Sequence, residues 1–161
     1  MAVIELDDRA ALAAFFRRRS AAHVYELGDL DDFFWPHTRW FGRAAPGTGR
    51  LEQVALLYTE PDVPVLILIE EPPAAAAGRL LEDLLPHLPD RLYGHVSPAL
   101  LAVAAEHYAV DDHGPHVKLG LARTDLLEGP DAVALQPADV DEVIAFYADA
   151  YPGGWFDVRR L

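Results

Sequence analysis

Val63 to Ile69 is the most constraining stretch of the chain: β-branched and apolar, without polar alternation, and bounded by the turn Glu60-Pro61-Asp62 and by Glu70-Glu71-Pro72-Pro73. A strand with apolar residues on both faces is a strand buried on both faces. The strand therefore belongs inside a sheet rather than at a solvated face.

The flanking sequence carries helix and strand signals of its own. Asp7 and Asp8 offer an N-cap before a helix over Arg9 to Arg19, with Leu12, Phe15 and Phe16 at helical spacing. His23 to Arg43 mixes Gly, Asp and Pro with aromatic residues and reads as an extended segment that ends in a strand near Arg39 to Arg43. Ala45 to Gly49 is a turn cluster and Leu51 to Thr59 a strand, so three antiparallel strands form a meander with Val63 to Ile69 central. Ala74 to Leu88 is helical, with leucines on one side and Pro86 placed to end it. Leu92 to Val96 is a strand. Ser97 and Pro98 start a helix, as cap and first residue, that runs to about Tyr108. Strands follow over His116 to Ala122 and Val133 to Leu135, and Asp139 caps a last helix reaching Tyr151-Pro152-Gly153-Gly154. The fold class is α/β (α+β), with a strand meander followed by alternating helices and strands.

The 161 residues carry 13 basic and 26 acidic side chains, a formal charge of -13. Such a surface repels the phosphates that dominate nucleic-acid affinity, so no nucleic-acid partner is expected. Without cysteine, thiol chemistry and thiolate metal sites are excluded. No stretch approaches the roughly 20 apolar residues of a membrane helix, and the acidic N-terminus lacks the character of a secretory signal. No membrane partner is expected, and the expected location is cytoplasmic.

Few side chains are arranged for chemistry. Asp111, Asp112, His113 and His116 hold oxygen and nitrogen ligand types within six residues, but a loose Asp/His cluster beside Gly114-Pro115 is better read as a solvated turn. No metal site is therefore assigned. Ser20 and Ser97 are the only serines, and neither sits in a nucleophile elbow. His95 lies two residues from Ser97 on a strand, where the two could share a face, with no orienting acid evident. Phe33, Phe34, Trp35, His37 and Trp40 form the densest aromatic patch. Such side chains anchor interfaces, and Phe33, Trp35 and His37 are candidate interface residues, while Phe34 and Trp40 suit ordinary core equally well. His37, after Pro36, also suits a structural, hydrogen-bonded histidine.

Two segments carry a family resemblance. Leu27-Gly28-Asp29-Leu30-Asp31-Asp32-Phe33-Phe34-Trp35-Pro36-His37 resembles the opening of bacterial GCN5-related N-acetyltransferase (GNAT) proteins that have an extra N-terminal domain. Phe146-Tyr147-Ala148-Asp149-Ala150-Tyr151-Pro152-Gly153-Gly154-Trp155-Phe156-Asp157 resembles the first helix and following loop of the acetyltransferase domain proper. The order of elements is also similar to the family's acyltransferase fold.

In that family a strand, a loop of the type Gln/Arg-x-x-Gly-x-Gly/Ala and a helix N-terminus receive the pyrophosphate of acetyl-CoA, because glycines let backbone N–H groups converge there. The matching junction here is Glu70-Glu71-Pro72-Pro73-Ala74-Ala75-Ala76-Ala77-Gly78-Arg79. Two carboxylates would face the pyrophosphate, two prolines delete donors, and Gly78 comes too late. The resemblance thus implies a degenerate GNAT-like domain over residues 1–130 and the truncated start of a catalytic one over 131–161. No catalytic or cofactor-binding residue is assigned to this chain, and acetyl-CoA is the cofactor expected of a full-length parent enzyme. Tyr151, Trp155 and Phe156 match the region that lines the family's acceptor pocket, and the acidic surface suits a cationic amine as acceptor.

Ile144 and Phe146 on the last helix would lack the sheet that should cover them, so they are candidate interface residues for the protein's own C-terminal catalytic domain or a dimer mate. The rival expectation is a stand-alone, non-enzymatic interaction module that uses the aromatic patch and the terminal helix.

Overall fold

A computed structural model describes residues 3–119 and 133–152. The chain divides into two compact units, Met1–Gly120 and Leu121–Leu161.

The first unit is a five-stranded mixed sheet with helices. Its strands are β1 (Ile4–Leu6), β2 (Thr38–Ala44), β3 (Leu51–Tyr58), β4 (Val65–Leu68) and β5 (Tyr93–Val96), arranged in chain order. The pairs β1–β2, β2–β3 and β3–β4 are antiparallel, and β5 is parallel to β4 with Ile67 opposite His95. The antiparallel strands need only short turns. The β2–β3 turn closes through the Ala45 N–H to the Arg50 carbonyl, 2.8 Å, and Gly47 and Gly49 supply its positive φ angles of 78° and 66°. The parallel pair needs a crossover, and α3 (Ala75–Leu84) provides it.

β3 explains why the sheet needs two covers, since Val54 to Tyr58 are all buried. Alternate residues divide between two cores. Phe41, Ala55, Leu57, Leu66 and Leu68 pack against Leu80, Leu81 and Leu84 of α3. Trp40, Val54, Leu56 and Ile67 pack against Leu12, Phe15 and Phe16 of α1 (Arg9–Phe16). Burying each of these large side chains contributes about 1.5–3 kcal/mol before chain entropy is counted. α1 begins where the Asp8 carboxylate accepts the N–H groups of Ala10 and Ala11, at 2.9 and 3.0 Å. Arg17–Arg19 then tighten into a 3₁₀ turn, so the helix is shorter than the expected Arg9 to Arg19.

Other expectations are also corrected. Ile4–Leu6 is an unforeseen strand, and the middle strand is β3, with β4 one place nearer the β5 edge. Part of the segment expected to be extended is helical: α2 (Val24–Gly28), with a 3₁₀ turn at Trp35–His37. After β5 the chain makes a 3₁₀ turn, Pro98–Leu100, and the four-residue α4 (Leu101–Ala104), not a helix to Tyr108. Residues 116–119 and 133–135 are irregular where strands were expected; the rest of the first span lies outside the described residues. Pro86 does end the helix it interrupts, sitting in the 3₁₀ turn Leu85–His87.

In the second unit, α5 (Val140–Ala150) follows a 3₁₀ turn at Pro137–Asp139. Asp139 works one turn earlier than expected: its Oδ2 accepts the Gln136 N–H at 2.8 Å, and it makes no side-chain cap to α5. Among the described residues no helix is long and apolar enough to cross a membrane.

Candidate functional site

In open sheets with parallel strands, ligands favour the crevice beyond the carboxyl ends of those strands. Here that crevice lies beyond β4 and β5, a shallow cleft of about 490 Å³ lined in part by Arg19, Glu70, Pro72, Ser97 and Pro98. A second shallow groove, about 600 Å³, lies beside β1 and α3 and carries the exposed Glu5–Arg39 pair. Hydrogen bonding to Arg39 holds the Glu5 carboxyl below its ordinary value and the guanidinium above its own.

The crevice is fastened by backbone-directed bonds. The Ser97 N–H donates to the Leu68 carbonyl at 3.2 Å, and the Ser97 hydroxyl accepts the Glu70 N–H at 2.8 Å. Ser97 therefore joins the two strand ends and does not cap the following turn with its side chain, contrary to expectation. At the start of α3, Pro72 and Pro73 lack N–H groups and are joined by a cis peptide bond. Further along, two donors turn back on their own chain: Ala76 N–H to the Pro73 carbonyl at 2.9 Å, and Ala77 N–H to the Ala74 carbonyl at 3.0 Å. Ala74, at the N-cap, has no side chain that could assist.

Both glutamates of the junction line the cleft, but the Glu71 carboxylate is tied to neighbouring side chains. Glu71 is buried, and its Oε1 accepts from Arg19 Nη1 and from His23 Nε2, each at 2.9 Å. Its carbonyl accepts the Gln53 side-chain N–H at 2.6 Å, and the Glu70 carbonyl accepts Arg19 at 3.2 Å. On the far side of the ring, His23 Nδ1 meets Glu26 Oε1 at 2.9 Å. His23, Glu26 and Glu71 are all nearly inaccessible, walled by the rings of Phe15 and Phe16. Burial disfavours the imidazolium, but hydrogen bonds to Glu26 and then Glu71 outweigh it and raise the ring above its ordinary value.

This cluster escaped the sequence analysis because Glu71 is 48 residues from His23. The local signal was the pair His23 and Glu26 at i, i+3, a spacing that brings side chains together on a helix. Beside the cluster, Lys118 Nζ donates to the Ala22 carbonyl at 2.5 Å and lies 3.9 Å from Glu26 Oε2. His95 stands edge-on to Tyr25 at 6.4 Å. Partial burial, then His116 and Lys118, hold His95 below its ordinary value.

The aromatic patch forms a layer along β2. Trp35 stacks on the buried Trp40 at 6.1 Å with Arg9 over its outer face, and Phe34 is buried edge-on to Tyr58. Phe33 and His37 are half-buried. On α5, Val143 is buried while Ile144 and Phe146 are exposed, as is Tyr151 just after the helix. Tyr151 packs its ring near Tyr147, at 5.9 Å. Trp155 and Phe156 lie outside the described residues. The Asp111 to His116 segment is a turn in which Asp112 accepts the Gly114 N–H at 2.8 Å, with Gly114 at a φ of 82°. Among the described residues, no three His, Asp or Glu side chains are arranged to hold a metal.

No family model matches the sequence, and no curated protein matches it. Among solved structures, the chain is similar to one described as "Crystal structure of a probable acetyltransferase", at 15% identity and a TM-score of 0.46, over 76% of this chain and 99% of that one.

Proposed function

We propose that this chain is the amino-terminal portion of an acetyl-CoA-dependent N-acetyltransferase of the GNAT family, and that its first unit is a non-catalytic domain of that fold. The observation that carries the non-catalytic part is the β4–α3 junction: Glu71 is turned inward, two prolines stand where donors are needed, and Ser97 fastens the strand ends. A pyrophosphate arriving there would meet two prolines without N–H groups and find the Ala76 and Ala77 amides already bonded to the preceding turn. The family assignment is supported by the meander, crossover helix and parallel fifth strand, together with the segments Leu27 to His37 and Phe146 to Asp157.

In the full-length enzyme, acetyl-CoA binds to a catalytic domain that begins in the second unit, and the amine of the acceptor attacks the thioester directly. Tyr151, Trp155 and Phe156 border the acceptor's approach, and the acidic surface favours a cationic amine. Ile144 and Phe146 of α5 face the catalytic domain. The enzyme works in the cytoplasm.

Calorimetry with acetyl-CoA and an acetylation assay with a polyamine acceptor test this in two arms. The 161-residue chain is expected to give neither binding heat nor product, and the full-length protein both. Binding by the chain alone overturns the non-catalytic assignment, and a full-length protein inert towards acetyl-CoA overturns the family assignment.

A further inference from the structure

We infer that His23 is a proton-operated latch: with both ring nitrogens protonated it ties α2 to the β4–α3 junction, and loss of one proton to solvent releases the two. The geometry forces the choice. Nδ1 and Nε2 each lie 2.9 Å from a carboxylate oxygen, one on α2 and the other on the junction, and the ring is 1% exposed. An ionised carboxylate only accepts, whereas a neutral imidazole has a single N–H. A neutral His23 would aim a lone pair at Glu26 or Glu71 in a site too enclosed for water to intervene. The imidazolium satisfies both.

The surrounding charges come from every element packed on the ring. Glu26 on α2 and Glu71 at the junction hold the proton. Arg19, on the 3₁₀ turn after α1, shares Glu71 Oε1 with the ring, and Lys118 stands 3.9 Å from Glu26 Oε2, which has no hydrogen-bond partner among the described residues. His95 on β5 is close enough for its charge to sense Glu26. α1 contributes only the rings of Phe15 and Phe16. Arg19 and Lys118 oppose a positive ring, so the two carboxylates alone retain it.

The sign follows from the raised imidazole. The opened state titrates near the ordinary value of 6.5 and the closed state above it. The latch is thus fully engaged below pH 6.5 and is lost as pH rises to the closed-state midpoint. One proton is linked, so opening becomes about tenfold more frequent per pH unit across that window. The device is local to α2 and the junction and does not depend on the acetyltransferase assignment.

Nitrogen-detected NMR of the imidazole ring and amide hydrogen exchange across pH 5.5 to 9 test it on the intact chain. The expected result is two N-bound protons on His23 at pH 6. The protection factor of the Leu27 amide, bonded to the His23 carbonyl at 2.9 Å, should then fall by about tenfold per pH unit in the window. Shifts at Glu71 and Ala76 should follow the same midpoint, while Leu56 on β3 and the α5 amides do not. His23→Gln should remove the pH dependence, and Glu71→Gln should move the midpoint down. A single N-bound proton at pH 6, flat protection at Leu27, or an unmoved midpoint in Glu71→Gln would each overturn the latch. If His23→Gln does not fold, the wild-type titration and Glu71→Gln still decide.

Discussion

Replacing Glu71 with alanine asks how much of the first unit's stability depends on one inward-turned carboxylate. The side chain is 6% exposed and joins His23, 1% exposed, to Arg19, 50% exposed. Arg19 can swing into water, so losing that contact costs less than about 1 kcal/mol. His23 cannot. Removing one partner of a buried charged pair typically costs about 3–5 kcal/mol, because the other charge stays buried and unpaired. Glu26 still holds the other ring nitrogen, and the Gln53 bond to the residue 71 carbonyl survives, which places the expected loss near the lower end, about 3 kcal/mol. For a unit of this size that corresponds to roughly 10–15 °C in Tm.

Urea denaturation at pH 6, below the His23 transition, should show the midpoint falling with the m-value unchanged. The neighbouring Glu70→Ala is the control. Glu70 contributes its N–H to Ser97 and its carbonyl to Arg19, and alanine keeps both, so the expected change is within about 0.5 kcal/mol. Equal effects from the two variants would refute the inward orientation of Glu71.

Further outcomes follow from the same contacts. Leu80→Ala, at a fully buried position on α3, should cost about 2–5 kcal/mol in the same urea assay. Ser97→Ala should cost about 1 kcal/mol and increase amide exchange at Glu70, whose N–H loses its acceptor. Gly42→Ala would place a Cβ 2.6 Å from the Leu6 side chain; because a flexible leucine end can shift, the expected cost is about 1 kcal/mol with exchange increased along β1. Phe146→Ala, at an exposed α5 position, should change the chain's own stability by less than about 0.5 kcal/mol. If the proposed function holds, it should also weaken packing against the proposed catalytic domain, read as a lower Tm of the full-length protein.

What could be read in advance divides along physical lines. β3, β4, α3 and β5 announced themselves because each has its own apolar pattern and neighbours close in sequence. β1 did not, since three residues carry no periodicity and its position depends on pairing with Trp40 to Gly42. α2 was hidden by the Gly and Asp residues around it. Residues 116–119 alternate polar and apolar as a strand would, yet Val117 is 78% exposed and Leu119 92% exposed, since alternation alone supplies no hydrogen-bonding neighbour. At the site, the acids and prolines at the start of α3 were visible as chemistry unsuited to phosphate. The fate of Glu71 was not, because its partners Arg19 and His23 come from distant turns that only the folded sheet brings near.

An amide-resolved NMR titration of the 161-residue chain with acetyl-CoA tests the central claim most directly, because it reads the β4–α3 junction itself. The expected result is no saturable shift at Glu70, Glu71, Ala74 to Ala77 or Ser97 up to millimolar cofactor. Saturable shifts confined to those amides would contradict the account, since they would mean that the junction receives the pyrophosphate after all.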